Sequence, residues 1–529
     1  MTWIKAARID KLDDEPVVFS HPPRQIALFK TGDDVYAIDN RCPHEGYPLA
    51  VGNVSSDCVL TCNWHNWKFR LQDGECVLGG DHVRSYPTRV EDGHAWIDVA
   101  DPPPEETRKH IFRGLETAFE TRDFGRICRE VARLHYHDLD MKDAVGEALV
   151  WSHNHLEFGT THAFAAAADW LALADRFSGE VEPRVVCIAE AIDHLAWDSL
   201  RRPVRIYAPG TGQGFESSSF ESLIEAEQED LAEAMVAQGL ADGLHWADME
   251  EAFTGAALAH YNDFGHSLIY VAKAGQLIEG LGPGVESEVI LPLTRHLVYT
   301  TREDLIPEFN DYRPAVERLP EPKARPDVSE QLDVPFPATT RKALGWLAES
   351  LAIHDVGVVY DKLLEANARN MLHFDTSYGM AHDRPVSQNI SWLDFTHALT
   401  FSNAARVMCS KYPRFWPPAL AQMACFLGRN FGFIDKQVTA DDWRVENPTE
   451  FFDQVHETML DHGLRDPIFA SHLLKTSTAV EEELNFASDS CREALLMGLN
   501  RFLQSPVKTK HVRRLARQAI ALVARDFVQ

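Results

Sequence analysis

The sequence has no uninterrupted run of eighteen apolar residues, and its start, MTWIKAARIDKLDDEP, lacks the charged region and apolar stretch of an export signal. We therefore expect a protein that is neither exported nor membrane-spanning. Cysteine is also scarce, with nine among 529 residues, an odd number scattered mostly without paired spacing. Such usage is typical of a reducing compartment, so the composition predicts a cytoplasmic protein.

Basic residues are outnumbered, since 51 lysines and arginines face 80 aspartates and glutamates, for a formal net charge of −29. An acidic surface repels phosphate backbones and anionic lipid, so we expect neither nucleic acid nor a membrane as a partner. The glycine-rich segments GTGQG at 210–214 and GLGPG at 280–284 do not complete a Gly-x-Gly-x-x-Gly motif in a clear βαβ unit. The sequence therefore predicts no internal nicotinamide or flavin site.

The pattern of apolar residues along the chain changes near residue 101. Residues 1–100 contain short β-type segments separated by turn pairs such as Asp73-Gly74, whereas beyond about residue 105 apolar residues recur every three or four positions. The proline run at 101–106 cannot begin a helix before its last proline. We predict a multidomain α+β protein with a small all-β domain at 1–100, a linker and connecting helix at 101–140, and a large all-helical domain at 141–529.

The strongest chemical signal lies in the β domain. Cys42-Pro-His44 is followed by seventeen residues and then by Cys62-x-x-His65, so each of two loops offers one thiolate and one imidazole. Zinc could be held by two cysteines and two histidines, but zinc sites favour pairs of one residue type, whereas each pair here is mixed. A [2Fe-2S] cluster with two thiolates on one iron and two imidazoles on the other needs this mixed arrangement.

The two segments CPHEGYPLAVG and LTCNWHNWKFRLQDGEC resemble the cluster-binding loops of Rieske ferredoxin domains, and the resemblance covers about residues 1–100. It implies a [2Fe-2S] cofactor held by Cys42, His44, Cys62 and His65. Where that family usually has glycine after the last ligand, this chain has Asn66, which tolerates a left-handed turn better than most residues. Neither loop has the extra cysteine of respiratory Rieske proteins, which favours a low potential and electrons supplied by a separate reductase.

Nineteen of the 24 histidines lie beyond residue 100, and iron bound by imidazole and carboxylate is the natural acceptor of an electron from the cluster. A predicted helix over 142–176 places His155 and His162 two turns apart, on one apolar face. A predicted helix over 246–280 places His260, Asp263 and His266 at intervals of three, as a ridge of possible ligands.

The segments HNHLEFGTTHAFAAAADWLAL, AHYNDFGHSLIYVAKA and DFTHALTFSNAARVM resemble helices of questin oxidase-like proteins, over about residues 140–527. That family is all-helical and includes enzymes that open an anthraquinone ring by Baeyer–Villiger-type oxygen insertion. The resemblance implies functional roles for His155, His266 and His397. Questin oxidase-like enzymes generally lack a fused Rieske domain, so the electron route differs here.

These observations predict a Rieske-coupled oxidoreductase, an oxygenase that acts with O2 on an aromatic or polyketide-like small molecule. Electrons would arrive from a ferredoxin reductase-type donor, NAD(P)H would act only through that donor, and a second-site iron and a homo-oligomer are possible. Two alternatives stay open. One is a ring-hydroxylating Rieske non-haem iron oxygenase with a divergent catalytic domain, and the other is an electron-transfer or redox-sensing protein that does not oxygenate.

Overall fold

The computed structural model describes residues 2–320 and 332–524. The chain divides into two compact units, with the boundary between Asp140 and Met141. A small all-β domain followed by a large helical region confirms the predicted fold class.

The first unit contains a β domain whose eleven strands, among the described residues, form three antiparallel sheets. The strands are β1 (Trp3–Arg8), β2 (Val17–His21), β3 (Arg24–Thr31), β4 (Asp34–Asp39), β5 (Asn53–Val54), β6 (Val59–Thr61), β7 (Lys68–Arg70), β8 (Cys76–Leu78), β9 (Ser85–Tyr86), β10 (Thr88–Glu91) and β11 (His94–Asp98). Their orders within the sheets are β1-β11-β10, β2-β3-β4-β9 and β5-β6-β7-β8.

Strand β3 is buried on both faces and contributes to two separate cores. Ile26 and Leu28 point into one core, whereas Ala27 and Phe29 point into the other, as the two-residue period of a strand requires. The second core also contains Cys42 and Cys62, which are each only 2% exposed. Two residues with metal-binding side chains are therefore anchored in the hydrophobic interior of the β domain.

Two helices complete the first unit: α1 (Pro104–Thr121) and α2 (Phe124–Tyr136). Helix α1 begins at the last proline of the 101–106 run, as predicted, because proline fits the first helical position, where its missing N–H is not needed. Helix α2 begins after Asp123, whose side chain accepts a hydrogen bond from the backbone N–H of Arg126. The predicted connecting segment thus contains two helices.

The second unit is helical, and no strand occurs in it between residues 141 and 320 or between 332 and 524. Its helices are α3 (Asp143–Ser152), α4 (His162–Arg176), α5 (Val181–Ser199), α6 (Ser217–Glu225), α7 (Glu229–Ala241), α8 (Trp246–Leu258), α9 (His266–Leu281), α10 (Glu286–Tyr299), α11 (Tyr312–Val316), α12 (Thr340–Ile353), α13 (Val356–Leu372), α14 (Ser377–Met380), α15 (Trp392–Lys411), α16 (Trp416–Asn430), α17 (Pro448–Leu460), α18 (Pro467–Glu483), α19 (Asp489–Gln504) and α20 (Val512–Ala524). Among the described residues, none of these helices is long and apolar enough to span a lipid bilayer.

The prediction of one continuous helix over 142–176 is wrong. Helix α3 ends at Ser152, a short turn covers His153–His155, and α4 begins only at His162. Gly159 explains the break, because its φ of +82° is left-handed and an added Cβ would lie 2.1 Å from the backbone nitrogen of His296. His155 and His162 therefore do not share a helical face.

The prediction of one continuous helix over 246–280 is also wrong. Helix α8 ends at Leu258, and Asp263, Phe264 and Gly265 have left-handed φ values of 44°, 48° and 80° before α9 begins at His266. The intervening chain is held by an isolated bridge between Asn262 and Arg302. The predicted ridge of ligands at intervals of three therefore does not exist.

Close packing of α16 against the start of α12 provides a test of this fold. A Cβ on Gly428 would lie 2.4 Å from the backbone nitrogen of Thr340, so Gly428→Ala should destabilise the protein by about 1–3 kcal/mol. The matched control is Gly345→Ala on the exposed side of α12, where nothing lies within 4 Å of the added Cβ. That substitution should stabilise by about 0.5–1 kcal/mol. Denaturant unfolding of both variants measures the difference, and equal effects would contradict the described packing.

Candidate functional sites

The two loops with the Cys/His pairs have the same backbone hydrogen bonds. The N–H of Cys42 donates to the carbonyl of Tyr47 at 2.8 Å, and the N–H of Cys62 donates to the carbonyl of Trp67 at 2.7 Å, five residues on in both cases. Four residues after each cysteine, an N–H donates back to the cysteine carbonyl. The two loops thus form equivalent turns, and their Cys and His side chains point towards a common site.

The returning N–H groups belong to Gly46 and Asn66, and both residues are left-handed, with φ values of 78° and 61°. The sequence-based expectation for Asn66 is therefore confirmed, because asparagine adopts this conformation more readily than most residues with a side chain. It stands at the position equivalent to Gly46 in the first loop. The turn geometry is kept even though glycine is absent from it.

Side chains of the four predicted ligands meet at the tips of these loops. Cys42 and Cys62 are buried side by side, whereas His44 and His65 lie on the outer edge, with their Nδ1 atoms 3.0 Å apart. The His44 ring stacks on Trp67, with 4.7 Å between ring centroids. Two buried sulfurs and two converging imidazole nitrogens fit the donor set of a [2Fe-2S] cluster with mixed ligation.

A second group of histidines meets in the helical unit. His162 and His266 are the first residues of α4 and α9, while His397 lies within α15 and His472 within α18. The Nε2 atoms of His162 and His266 are 3.0 Å apart. Ligand nitrogens of His162, His397 and His472 all lie within 4.8 Å of one another. We call these four residues the histidine cluster.

Three members of the histidine cluster are oriented by backbone carbonyls. The Nδ1–H of His266 donates to the carbonyl of Asp263 at 2.5 Å, and those of His397 and His472 donate to carbonyls four residues earlier, each at 2.6 Å. In a neutral imidazole this leaves Nε2 without a proton. The unprotonated nitrogens face the centre of the cluster, which is the usual arrangement behind metal-binding histidines.

Burial keeps these rings neutral. Desolvation lowers the pKa of His266 to about 3, and it lowers the pKa values of His162, His397 and His472 well below the usual value, with neighbouring cationic groups adding to the effect. The Nε2 of His472 is buried without a hydrogen-bond partner among the described residues. This unpartnered nitrogen lies within 4.8 Å of the ligand nitrogens of His162 and His397, and such a convergence favours a bound metal cation.

A buried lysine adjoins the histidine cluster. The Nζ of Lys475 lies 3.1 Å from the Nε2 of His397, and burial lowers the pKa of this amine to about 7. The nearest carboxylate that raises its pKa is Asp169, which is itself ion-paired with Lys273 at 2.7 Å. Near neutral pH, Lys475 can therefore exist as an uncharged amine that donates a hydrogen bond or shares in metal binding.

A cavity of about 400 Å³ borders the histidine cluster on the side of His162. Its inner wall includes Tyr270, whose hydroxyl lies 3.3 Å from the Nδ1 of His162, together with Asp263. Phe158 and Tyr299 line its outer part, are both more than 40% exposed and meet edge to face at 5.4 Å. The cavity offers a small molecule a partly aromatic route towards His162.

The structure separates the sequence-predicted residues of this unit into two groups. The histidine cluster contains three of them: His162, His266 and His397. The other three lie outside it: His155, His260 and Asp263. The Nδ1 of His155 is bonded to the carbonyl of Arg202, because the chain turns before α4. His260 is held between Asp304 and Glu225 at 2.9 and 2.7 Å.

Asp263 does not lie on a helix beside His260 and His266, as the predicted ridge of ligands required. Its carbonyl orients His266, while its carboxyl faces the cavity 3.7 Å from the Nε2 of His296, and burial raises its pKa to about 7. Sequence reasoning missed His472 and Lys475 altogether. Their signal was weak: a histidine and a lysine three residues apart within the segment SHLLKTST of one helix.

Comparison with known proteins identifies the first unit. Residues 2–87 match the Rieske [2Fe-2S] domain family. The chain is 32% identical over 96 residues to the 3-phenylpropionate/cinnamic acid dioxygenase ferredoxin subunit of Escherichia coli K12, a match that covers 18% of this chain and 83% of that protein. It is 30% identical over 106 residues to the ferredoxin component of the alkene monooxygenase system of Xanthobacter autotrophicus, covering 20% and 86% respectively.

Among solved structures, the ferredoxin of carbazole 1,9a-dioxygenase from Nocardioides aromaticivorans matches with 25% identity and a TM-score of 0.18, over 18% of this chain and 97% of that one. The family match and the two ferredoxin relatives show that the N-terminal β domain is an iron–sulfur domain of the Rieske type. The chain belongs through residues 2–87 to the Rieske [2Fe-2S] family, and this domain binds a [2Fe-2S] cluster. These matches cover about a fifth of the chain, within its first unit, and say nothing of the helical unit.

The left-handed turn at Asn66 yields a testable expectation for the iron–sulfur domain. Asn66→Gly should keep the cluster, because glycine adopts a φ of 61° without strain, whereas Asn66→Val should weaken the turn by about 1–2 kcal/mol. Thermal loss of the visible absorbance of the cluster measures this difference. Loss at the same temperature in both variants would contradict the role assigned to the turn.

Proposed function

We propose that this protein is an oxidoreductase in which electrons from a separate reductase pass through the Rieske domain to a metal held by the histidine cluster, where dioxygen is used to oxidise an aromatic small molecule. The observation that carries the proposal is the convergence of four imidazoles, two buried and two partly buried, in the helical unit of a chain whose other unit belongs to the Rieske family.

The electron-transfer part rests on the first unit. The relatives described above are ferredoxin parts of dioxygenase and monooxygenase systems by their names. The [2Fe-2S] cluster supplies one-electron transfer when bound, and we assign Cys42, His44, Cys62 and His65 as its ligands. His44 and His65 lie at the outer edge of the domain, where a partner can approach them. No internal nicotinamide motif is present, which supports a separate reductase as the electron source.

The metal proposed for the histidine cluster is iron. Imidazole ligands suit several transition metals, including iron, copper, nickel and zinc, so geometry alone does not select one. A redox-active metal is favoured because the same chain contains an electron-transfer domain, and zinc has no redox chemistry. The site differs from the common arrangement of two histidines and one carboxylate, since the Asp263 carboxylate lies 3.6 Å from the Nδ1 of His266, on the side of that ring away from Nε2.

The substrate would enter by the cavity beside His162. Its volume of about 400 Å³ lies within the range of small-molecule sites, and Phe158, Tyr299 and Tyr270 give it aromatic walls. Dioxygen and substrate could both reach the histidine cluster from this side. An aromatic or polyketide-like substrate and Baeyer–Villiger-type insertion stay predictions from the resemblance to questin oxidase-like proteins.

A ring-hydroxylating Rieske oxygenase is less well supported. Its catalytic domain has a β-sheet core, whereas residues 141–320 and 332–524 contain no strand. Its Asp-x2-His-x4-His metal motif, counted from Glu157, would need histidines at Thr160 and Ala165, and Glu157 is ion-paired with Arg202 instead. The geometry therefore favours a site built from four separate helices.

Metal analysis of histidine variants tests the proposal. The purified wild-type chain should contain three iron atoms, two from the [2Fe-2S] cluster and one from the histidine cluster. His472→Ala should lower this number to two and abolish reductase-dependent oxygen uptake, because one of the converging nitrogens is lost. His155→Ala is the matched control: this histidine was predicted from the sequence but lies outside the cluster, so its variant should keep three irons.

Two irons in the wild-type chain, with no other transition metal bound, would contradict the proposed site and favour an electron relay. Equal metal loss in the His472→Ala and His155→Ala variants would also contradict it. Visible absorbance of the [2Fe-2S] cluster reports in each variant that the first unit is intact, and circular dichroism reports that the helices are folded.

A further inference from the structure

The last described helix, α20, packs against the protein with its polar side. Residues Val512–Ala524 are all exposed except Arg514, which is buried, and Gln518, which is partly buried. Arg514 donates hydrogen bonds to the carbonyls of Tyr378, Gly379 and Ala381, and Gln518 donates to that of Arg384. Since these two residues are four apart, they lie on one face of the helix, and this face is turned inward.

The aliphatic side chains of α20 consequently point away from the protein. Five of them are more than half exposed: Val512, Leu515, Ile520, Leu522 and Val523. Met380 and Val386, in the segment to which α20 is bonded, are 51% and 68% exposed. No described residue covers these side chains. Contiguous apolar surface of this kind in a folded protein usually marks an interaction site, whereas an ordinary terminal helix turns its apolar face inward.

The helix cannot cover this face by rotating against its own chain without breaking the hydrogen bonds of Arg514. That guanidinium is 5% exposed, and leaving a buried charge without its carbonyl partners is costly. A second molecule can cover this face and leave these hydrogen bonds in place. Its chemistry has to match both the aliphatic side chains and the charges that accompany them.

Those charges are all positive. Lys508, Lys510, Arg513, Arg514 and Arg517 occur between residues 505 and 524, and no aspartate or glutamate does, although the whole chain has a net charge of −29. The segment is therefore opposite in sign to the rest of the chain. A second copy of this chain offers the exposed carboxylate of Asp383 to these basic side chains, whereas an anionic bilayer would be repelled by the acidic remainder of the protein.

We infer that α20 is the self-association surface of this protein, and that it binds a second copy of the chain. The aliphatic side chains of α20, with Met380 and Val386, form the apolar centre of the contact, and Arg513 and Arg517 form a basic rim. Asp383 is exposed between Met380 and Val386 and supplies an acidic group on the same surface. A surface with both signs of charge suits a two-fold contact, in which each copy presents the same patch.

Sedimentation velocity over a dilution series of the full chain tests this inference. Wild-type protein should be dimeric at micromolar concentration, and Leu515→Gln/Ile520→Gln should raise the dissociation constant by roughly a hundredfold or more, since both side chains become buried in each copy. Both residues are exposed in the single chain, so the substitutions should leave folding unchanged. Leu231→Gln, at a position that is 53% exposed on α7, is the matched control and should stay dimeric.

A second variant tests the charges. Arg513→Glu/Arg517→Glu should weaken the dimer at low salt, and the difference from wild type should shrink at high salt, because salt screens the basic rim. A monomeric wild-type chain at tens of micromolar would overturn the inference. So would binding of that monomer to phosphatidylglycerol vesicles that is lost in the Leu515→Gln/Ile520→Gln variant, since the occupant would then be lipid. The test does not measure metal content or oxygen uptake. Its outcome is therefore independent of the proposed function.

Discussion

The helical unit depends on bringing four imidazoles together beside a cavity, where each ring is largely removed from solvent. Each ring loses its hydration on burial, and this loss depresses the pKa values of all four. Backbone carbonyls accept the Nδ1 protons of three rings and so leave the Nε2 lone pairs directed at one another. Lys475 reaches the Nε2 of His397, but the Nε2 of His472 has no hydrogen-bond partner among the described residues, which is why we propose a metal there.

The two units differ in how far apart in the sequence their converging side chains lie. In the iron–sulfur domain, two equivalent turns of a β scaffold present ligands that are close in sequence, and the turn conformation at Gly46 and Asn66 sets their orientation. In the helical unit, four helices that are far apart in sequence each contribute one histidine. Two of these, His162 and His266, are the first residues of their helices, where a break in the chain directs the side chain inward.

This difference explains how much the sequence could predict. The Rieske domain was recognisable because its ligands, their spacing and the turn residue after them all lie within 25 consecutive residues, and the helix start at Pro104 follows from local chemistry. The histidine cluster depends on contacts over hundreds of residues. Hydrophobic periodicity runs through the breaks near Gly159 and Phe264, so it predicted long helices and favoured His155 and His260. His472 carried only a weak local signal, since the packing of α18 against α4 and α15 is what brings it to the other histidines.

The most direct test of the account is electron transfer from the iron–sulfur domain to the histidine cluster. The full chain would be reduced anaerobically, mixed rapidly with oxygenated buffer, and followed by the return of visible absorbance of the oxidised [2Fe-2S] cluster. The account predicts rapid reoxidation in the wild-type chain and much slower reoxidation in a His397→Ala variant that keeps its iron–sulfur cluster. Equal rates in the two proteins would show that the electrons leave by another route and would contradict the account.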